Sequence, residues 1–180
     1  TTLIKSIREE KKQDLEKFLW IQPSLETSKD VLLLISEMTR GVSHNLPSTN
    51  GNLKRFARNI GEGVVQFNSK NRIKSPEANE LEELGTFFID KLSKSLIENE
   101  VNPKDLTPVL VFDGIDKIED KILSWLSGAF NQALRKSAFF SNTRFIFTSN
   151  QLTDRIKDFF SRFGFSSPVE LRVPTFSEEE

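Results

Sequence analysis

The sequence contains no cysteine, and this absence removes several classes of function at once. Without thiols the chain cannot form a disulfide, use a cysteine nucleophile or build a zinc–thiolate site. Histidine is nearly absent as well: His44 stands alone, inside the turn-rich segment 41–52. A solvated imidazole is expected there, so a histidine-based active site is not indicated.

Long apolar runs and a charge excess are also missing. No stretch approaches the roughly 20 apolar residues that a membrane-spanning helix needs, and nothing in the first residues of the sequence resembles a secretion signal. Lys and Arg number 25 against 26 Asp and Glu, a net charge of −1, so a uniformly basic nucleic-acid-binding surface is not indicated, although a local patch stays open. The 37% hydrophobic residues, 16 of them Phe, suffice for one core in 180 residues. We therefore expect one cytoplasmic domain, or one with part of another, and no membrane partner.

Predicted strands alternate with predicted helices along the chain. Short apolar runs predict strands over 18–22, 109–112, 144–148 and 169–173. Apolar stripes at helical spacing predict helices over 3–17, 29–40, 53–67, 81–96, 118–134 and 152–163, with Ser28 capping the second and Gly41 ending it. Because the strands are apolar at consecutive positions, we expect a mostly parallel sheet with helices on both faces, an α/β/α sandwich.

Two of these strands end in polar residues. In the stretch PVLVFDGIDKIEDKI (108–122), Asp113 follows the apolar run directly and Asp116 comes three residues later, while FIFTSN ends in Thr148, Ser149 and Asn150. Ligands bind to such sheets at the carboxyl ends of the strands, which makes both places candidate sites. Each acid also has a plain structural explanation as a helix cap, and Asn150 has one as a turn residue.

Both ends of the sequence resemble parts of helices. TTLIKSI opens directly into the first predicted helix, and TFSEEE has capping-box spacing between Ser177 and Glu180. We therefore expect the sequence to be a segment of a longer chain. In a phosphate-binding loop of the form G-x-x-x-x-G-K-[ST], the final hydroxyl residue lies at a helix start and reaches Mg²⁺. Thr1 or Thr2 would fit that position if Gly-Lys preceded it.

Together these motifs resemble the P-loop ATPases of the STAND and AAA+ group. VLVFDGIDKI is similar to the Walker B strand of NACHT-type STAND proteins, and FIFTSN is similar to a sensor-1 strand. SNQLTDRIKDFFSRFG instead resembles origin-recognition initiators and clamp loaders, in which Asn ends the sensor strand and a Ser-Arg pair follows a helix. TTLIKSI resembles the helix that follows a Walker A loop.

The resemblance implies a sheet of order 5-1-4-3-2 with the phosphate-loop strand as number 1. The four predicted strands would then be numbers 2, 3, 4 and 5 in chain order. Strand 1 and its Gly-rich loop would have to precede Thr1 and fill the gap between strands 4 and 5. On this basis residues 1–176 form the nucleotide-binding core, with 41–102 as a candidate helical insertion, and 177–180 begin a helical subdomain.

The resemblance also implies roles for individual residues, with ATP or ADP and Mg²⁺ as cofactors. Thr1 and Thr2 would bind the nucleotide, and Thr1 would hold the metal together with Asp113. Asp116 would orient or deprotonate the attacking water, and Asn150 would hold that water or the γ-phosphate. Arg162 would act as an arginine finger across a subunit interface, although an ordinary solvated helix residue is the favoured explanation when Arg162 is taken alone.

Two departures from the family pattern favour slow hydrolysis. Gly114 stands where most AAA+ proteins have their catalytic Glu, and Lys117 stands where NACHT proteins usually have a second acid. We therefore expect an ATP-binding switch of the STAND type that couples nucleotide state to self-association or to release of a protein partner. Two alternatives stay open: an AAA+ initiator or loader that acts on DNA through further domains, and a degenerate, non-hydrolysing scaffold for protein interaction.

Overall fold

The computed structural model describes residues 18–26, 28, 30–45, 78–98, 102 and 104–164, which form a mixed α/β fold. The elements in chain order are β1 (Phe18–Ile21), α1 (Val31–Asn45), α2 (Ala78–Glu98), β2 (Thr107–Phe112), a 3₁₀ turn (Ile115–Lys117), α3 (Asp120–Trp125), a π-helical segment (Leu126–Phe130), α4 (Asn131–Lys136), β3 (Arg144–Phe147) and α5 (Asp154–Phe163).

The three described strands form a parallel sheet in which β2 is central. Trp20 lies opposite Val109 between β1 and β2, and Leu110 lies opposite Phe145 between β2 and β3. The spatial order β1-β2-β3 is also the chain order. Connections between parallel strands are nearly always right-handed, so two successive connections in the same direction bring their helices to one face. The parallel α/β arrangement predicted from the apolar strands is confirmed for these three strands.

The main hydrophobic core lies on that face of the sheet. All five described α-helices and the π-helical segment contribute buried side chains to it, together with Leu19, Ile21, Leu110 and Phe112 from the strands. The ring of Phe147 stacks on that of Phe112 at 5.5 Å and meets the edge of Phe159 at 5.5 Å. The aromatic contacts therefore fix α5 against β3.

The opposite face of the sheet has a second, smaller cluster. Trp20, Val109 and Val111 are buried there, and Ile146 packs against them. No described helix contributes a residue to this cluster. Within the described ranges the helices thus lie against one face, and the third layer of the expected sandwich stays a prediction.

Two sequence predictions at α1 are wrong. Ser28 does not cap the helix, because its Oγ donates to the carbonyl of Ser24 at 2.6 Å. Asp30 is the cap instead, since its Oδ1 accepts from the backbone N–H of Leu33 at 2.8 Å. Gly41 does not end α1, which continues to Asn45 and so includes the backbone of His44. A Cβ at Gly41 would lie 3.4 Å from the backbone nitrogen of Gln22, so the glycine allows α1 to approach the chain after β1 closely.

The other described helices follow the predicted apolar stripes. The helix predicted over 81–96 is α2, and the one predicted over 152–163 is α5, which begins two residues late at Asp154. The helix predicted over 118–134 spans α3 to α4 and widens at the π-helical segment. Several predictions lie outside the described residues: the helices over 3–17 and 53–67, the strand over 169–173, the start of a subdomain at 177–180 and most of the candidate insertion. None of the helices in the described part of the chain is both long and apolar enough to cross a bilayer.

Candidate functional site

The ends of β2 and β3 are joined by backbone hydrogen bonds that continue past the strands. The N–H of Thr148 donates to the carbonyl of Phe112 at 3.0 Å. In the other direction, the N–H groups of Gly114 and Ile115 donate to the carbonyl of Thr148 at 3.2 and 2.9 Å. The residues that follow the two strands are therefore held side by side at one edge of the sheet.

Asp113 and Thr148 form the centre of this edge. The hydroxyl of Thr148 donates to Asp113 Oδ1 at 2.5 Å and accepts from the N–H of Gly114 at 2.8 Å. A hydroxyl has one proton to donate, and here it is directed at the carboxylate. Hydrogen bonds from hydroxyls to charged carboxylates are short and comparatively strong. Thr148 thus fixes the direction of the Asp113 carboxylate, which is half-buried.

Gly114 turns the chain across the strand ends. Its backbone angles, φ 80° and ψ 48°, lie in the left-handed region, and it precedes the 3₁₀ turn. A residue with a side chain pays about 1–2 kcal/mol for that conformation. The turn geometry therefore gives a physical reason for glycine at the place where the resembled AAA+ proteins carry a glutamate.

Asp116 and Asn150 meet beside this centre. The backbone N–H of Asn150 donates to Asp116 Oδ1 at 3.2 Å, and its side-chain Nδ2 donates to Asp116 Oδ2 at 3.5 Å. The second contact is at the outer limit of a hydrogen bond. The structure therefore brings together three of the residues that the sequence singled out, Asp113, Asp116 and Asn150, at the carboxyl ends of two adjacent parallel strands.

The helix-cap explanation of the two acids is wrong. The first α-helix after β2 begins at Asp120, and the residue at its N-cap is Glu119. The 3₁₀ turn that precedes it has Gly114 at its N-cap and includes Asp116. Neither Asp113 nor Asp116 occupies a capping position. Asn150 lies in the loop between β3 and α5, as its turn explanation requires.

Two residues of this edge have roles that were not predicted from sequence: Thr148, which was placed at a strand end without a role of its own, and Arg155, which was not singled out. Phe112 and Phe147 are the last residues of β2 and β3 and lie opposite each other. Asp113 and Thr148 are the next residues after these strands, so they are also opposite each other. Arg155 is in the first turn of α5, and its guanidinium contacts the loop after β2. A cation in the first turn of a helix opposes the helix dipole, and that is the signal that Arg155 has a partner elsewhere.

Arg162 lies apart from these residues. It is in the last turn of α5, where its Nη2 is 2.7 Å from Asp158 Oδ2, and half of its side chain is exposed. Arg162 lies eight positions after Asp154, which corresponds to about 12 Å along the helix axis. An exposed ion pair at this spacing is typical of a solvated helix face, and a role across a subunit interface stays a prediction.

The expected metal and nucleotide ligands are only partly among the described residues. Thr1 and Thr2 lie outside them. Within the described ranges, no group of three or more His, Asp or Glu side chains could hold a metal ion. Mg²⁺ in nucleotide sites is usually held by one or two carboxylates together with phosphate oxygens and waters. The described residues of this edge therefore do not form an all-protein metal cage.

The comparisons with known proteins give no relatives: no family model, no curated protein and no solved structure matches this chain.

Proposed function

We propose that this chain is the nucleotide-switch core of a P-loop ATPase of the STAND or AAA+ group, which binds ATP and Mg²⁺ and hydrolyses ATP slowly. The observation that carries the proposal is the meeting of Asp113, Asp116, Thr148 and Asn150 at the carboxyl ends of β2 and β3. Ligands bind at this edge in open parallel sheets, and these four side chains offer carboxylate, hydroxyl and amide groups within one small region.

The strand order supports the proposal. In the resembled family the sheet order is 5-1-4-3-2, so strands 2, 3 and 4 are neighbours in that sequence. The described strands β1, β2 and β3 are parallel neighbours in the same order. The acid of the Walker B-like motif then follows the central described strand, and the sensor-like Thr148 and Asn150 follow the next one.

The chemistry expected of these residues is positioning and charge neutralisation. Phosphoryl transfer needs Mg²⁺ across the β- and γ-phosphates and an oriented nucleophile, and the protein does little covalent chemistry. Asp113, oriented by Thr148, would hold the water shell of Mg²⁺, and Thr1 or Thr2 would contribute a hydroxyl to the metal and nucleotide. Asp116 and Asn150, which already contact each other, would hold the attacking water. Arg162 would be supplied to a neighbouring subunit as the finger.

Slow turnover follows from the residue at 114. A general base usually contributes about 10²- to 10⁴-fold to a rate, and the glycine cannot act as one. Asp116 is then the acid left to activate water, and its carboxylate already accepts from Asn150. A site that binds tightly and turns over slowly suits a switch, in which nucleotide state controls self-association or release of a protein partner.

A non-hydrolysing scaffold for protein interaction is the second candidate. Gly114 favours it, because the catalytic glutamate usual at this position would be strained in the left-handed turn. Lys117, in the same 3₁₀ turn, favours it too, because it puts a cation where the resembled NACHT proteins have an acid. A DNA-dependent loader would act through other domains, and its binding to DNA would weaken steeply as salt is raised.

Binding of Mg·ATP distinguishes these candidates. The proposal places the phosphate-binding loop before Thr1, so the measurement uses the natural protein from its first residue. Isothermal titration calorimetry with and without Mg²⁺ compares the wild type with Asp113→Asn, and Asp105→Asn is the matched control. Asp105 is an exposed aspartate just before the start of β2, at the opposite end of the strand from Asp113.

We expect the wild type and Asp105→Asn to bind ATP more tightly with Mg²⁺ than without it. Asp113→Asn should lose about 10- to 100-fold in affinity when Mg²⁺ is present, the usual cost of an altered outer-shell metal partner. Binding without turnover in the wild type would favour a switch over a motor. No binding of ATP by the wild type would refute the nucleotide-switch proposal and favour the scaffold.

A further inference from the structure

Arg155 connects the two loops that carry the candidate site. It belongs to the first turn of α5, just after the loop that contains Asn150, and its side chain reaches the loop after β2. We infer that Arg155 is the positioning residue that holds Asp116 against Asn150. An effect of Arg155 on catalysis rests on the proposed function, whereas its hold on Asp116 is argued from the contacts alone.

The guanidinium of Arg155 makes contacts at three points of one short segment. Nη1 donates to the carbonyl of Asp116 at 3.1 Å, and Nη2 donates to the carbonyl of Ile118. Nε donates to Asp120 Oδ1, which makes an ion pair. The segment from Asp116 to Asp120 includes the end of the 3₁₀ turn and the start of α3, so Arg155 fixes the path between them.

The shape of the arginine side chain suits this task. Its planar guanidinium presents five N–H donors in a fixed arrangement, whereas a lysine ammonium is a rotating point charge. The rigid guanidinium therefore fixes the directions of its hydrogen bonds to the two carbonyls and the carboxylate relative to one another. About a third of the Arg155 side chain is exposed, so solvent screens the ion pair with Asp120 but reaches the bonds to the carbonyls less freely.

The same contacts control the carboxylate of Asp116. Its two bonds from Asn150 are 3.2 and 3.5 Å long, so a small displacement of the backbone at Asp116 would break both. Arg155 holds that backbone through the Asp116 carbonyl, and it follows Asn150 by only five residues. Loss of the guanidinium should therefore release Asp116 from Asn150 without disturbing the bonds between Asp113 and Thr148.

Amide hydrogen exchange at Asn150 in the natural protein tests this directly. Exchange rates are measured by NMR in the wild type, Arg155→Met, Arg155→Lys and Asp116→Ala, which removes the acceptor itself. Lys157→Met is the matched control, because Lys157 is an exposed cation on α5 that pairs with Asp154 at 3.0 Å. The amides of Ile115 and Thr148, bonded across the strand ends, report whether the whole edge opens.

We expect Arg155→Met to raise the exchange rate of the Asn150 amide about fivefold, to the rate in Asp116→Ala. Arg155→Lys should give most of the same increase, and Lys157→Met should give none. The amides of Ile115 and Thr148 should keep their wild-type rates. A wild-type rate at Asn150 in Arg155→Met, or equal acceleration at Ile115 and Thr148, would overturn the inference, the second result because it shows a general structural role.

The rate of ATP hydrolysis by the natural protein tests whether Arg155 also supports catalysis. Arg155→Met should lower kcat at least about tenfold with little change in KM, since misplacing a water-orienting group affects the transition state more than nucleotide binding. An unchanged kcat would remove the catalytic part of the inference. If the wild type hydrolyses no nucleotide, the hydrolysis proposal fails, and the exchange rates at Asn150 still decide whether Arg155 positions Asp116.

Discussion

Replacing Thr148 by valine tests the hydrogen-bonded centre of the strand ends. The substitution preserves the shape of the side chain and the preference for extended backbone, but it removes the hydroxyl. Asp113 Oδ1 then loses its 2.5 Å donor, and the N–H of Gly114 loses its 2.8 Å acceptor. The effect on the free energy of unfolding can be estimated from these two losses.

The bond to the carboxylate is the larger of the two. A hydrogen bond to a charged group contributes about 1.5–3 kcal/mol, and the lower part of that range applies because the half-buried Asp113 can regain water. The N–H of Gly114 also donates to the Thr148 carbonyl at 3.2 Å, so its loss adds only about 0.5 kcal/mol. We therefore expect Thr148→Val to lower the free energy of unfolding by about 2 kcal/mol.

Urea denaturation, monitored by circular dichroism, measures this change in the free energy of unfolding. Thr148→Ser keeps the hydroxyl and should retain most of the stability. Thr107→Val is the matched control at the other end of β2, where the described part of the structure shows no hydrogen bond from the threonine side chain. It should change stability by less than about 0.5 kcal/mol. A free energy of unfolding for Thr148→Val within about 0.5 kcal/mol of the wild type would refute the reasoning.

Two further substitutions test the geometry around the site by the same denaturation assay. Gly114→Ala should destabilise by about 1–2 kcal/mol because φ is 80° there, whereas Gly128→Ala, with open space around the added Cβ, should be neutral or stabilising by up to about 1 kcal/mol. Equal effects of the two glycine substitutions would contradict the left-handed turn. Asn131→Ala should cost about 1–3 kcal/mol, because the buried Asn131 donates to the Phe163 carbonyl at 2.9 Å and holds the end of α5. The exposed neighbour Gln132→Ala is its control, and a similar small loss in both would show that this bond contributes nothing.

The fold was predictable where local pattern and burial agree. Consecutive apolar residues before Asp113 and before Thr148 identify buried parallel strands, because such strands are covered by other parts of the protein. From that, the meeting of Asp113, Asp116 and Asn150 could be predicted, since the carboxyl ends of parallel strands share an edge. In the structure the N–H of Asn150 donates to Asp116 Oδ1 at 3.2 Å, and the functional roles of these residues stay predictions.

Two of the misses depend on contacts between distant parts of the chain, and the third depends on a local choice between two caps. Gly41 resembles a helix C-cap in sequence, and only the approach of Gln22 shows its other use. Arg155 is 39 residues from Asp116 along the chain, so no local pattern links them. Ser28 and Asp30 are both good capping residues, and the choice between them is made by the Ser24 carbonyl, which engages the serine.

The bond between Thr148 and Asp113 was not predicted for a different reason. Threonine is favoured in β-strands, so its presence at the end of an apolar run needs no functional explanation. Its relation to Asp113 follows only from the register between β2 and β3, which sequence patterns do not give. A side chain that bridges two strands is therefore identified from the register of the strands, whereas the acid that it orients is identified from its place after an apolar run.

The most direct test of the nucleotide proposal is the affinity of the natural protein for ATP, measured by calorimetry in the presence and absence of Mg²⁺. We expect Mg²⁺-dependent binding that Asp113→Asn weakens about 10- to 100-fold and Asp105→Asn leaves intact. Absence of Mg²⁺-dependent binding in the wild type, or equal affinity in Asp113→Asn, would contradict a role for the end of β2 in holding a metal-bound nucleotide.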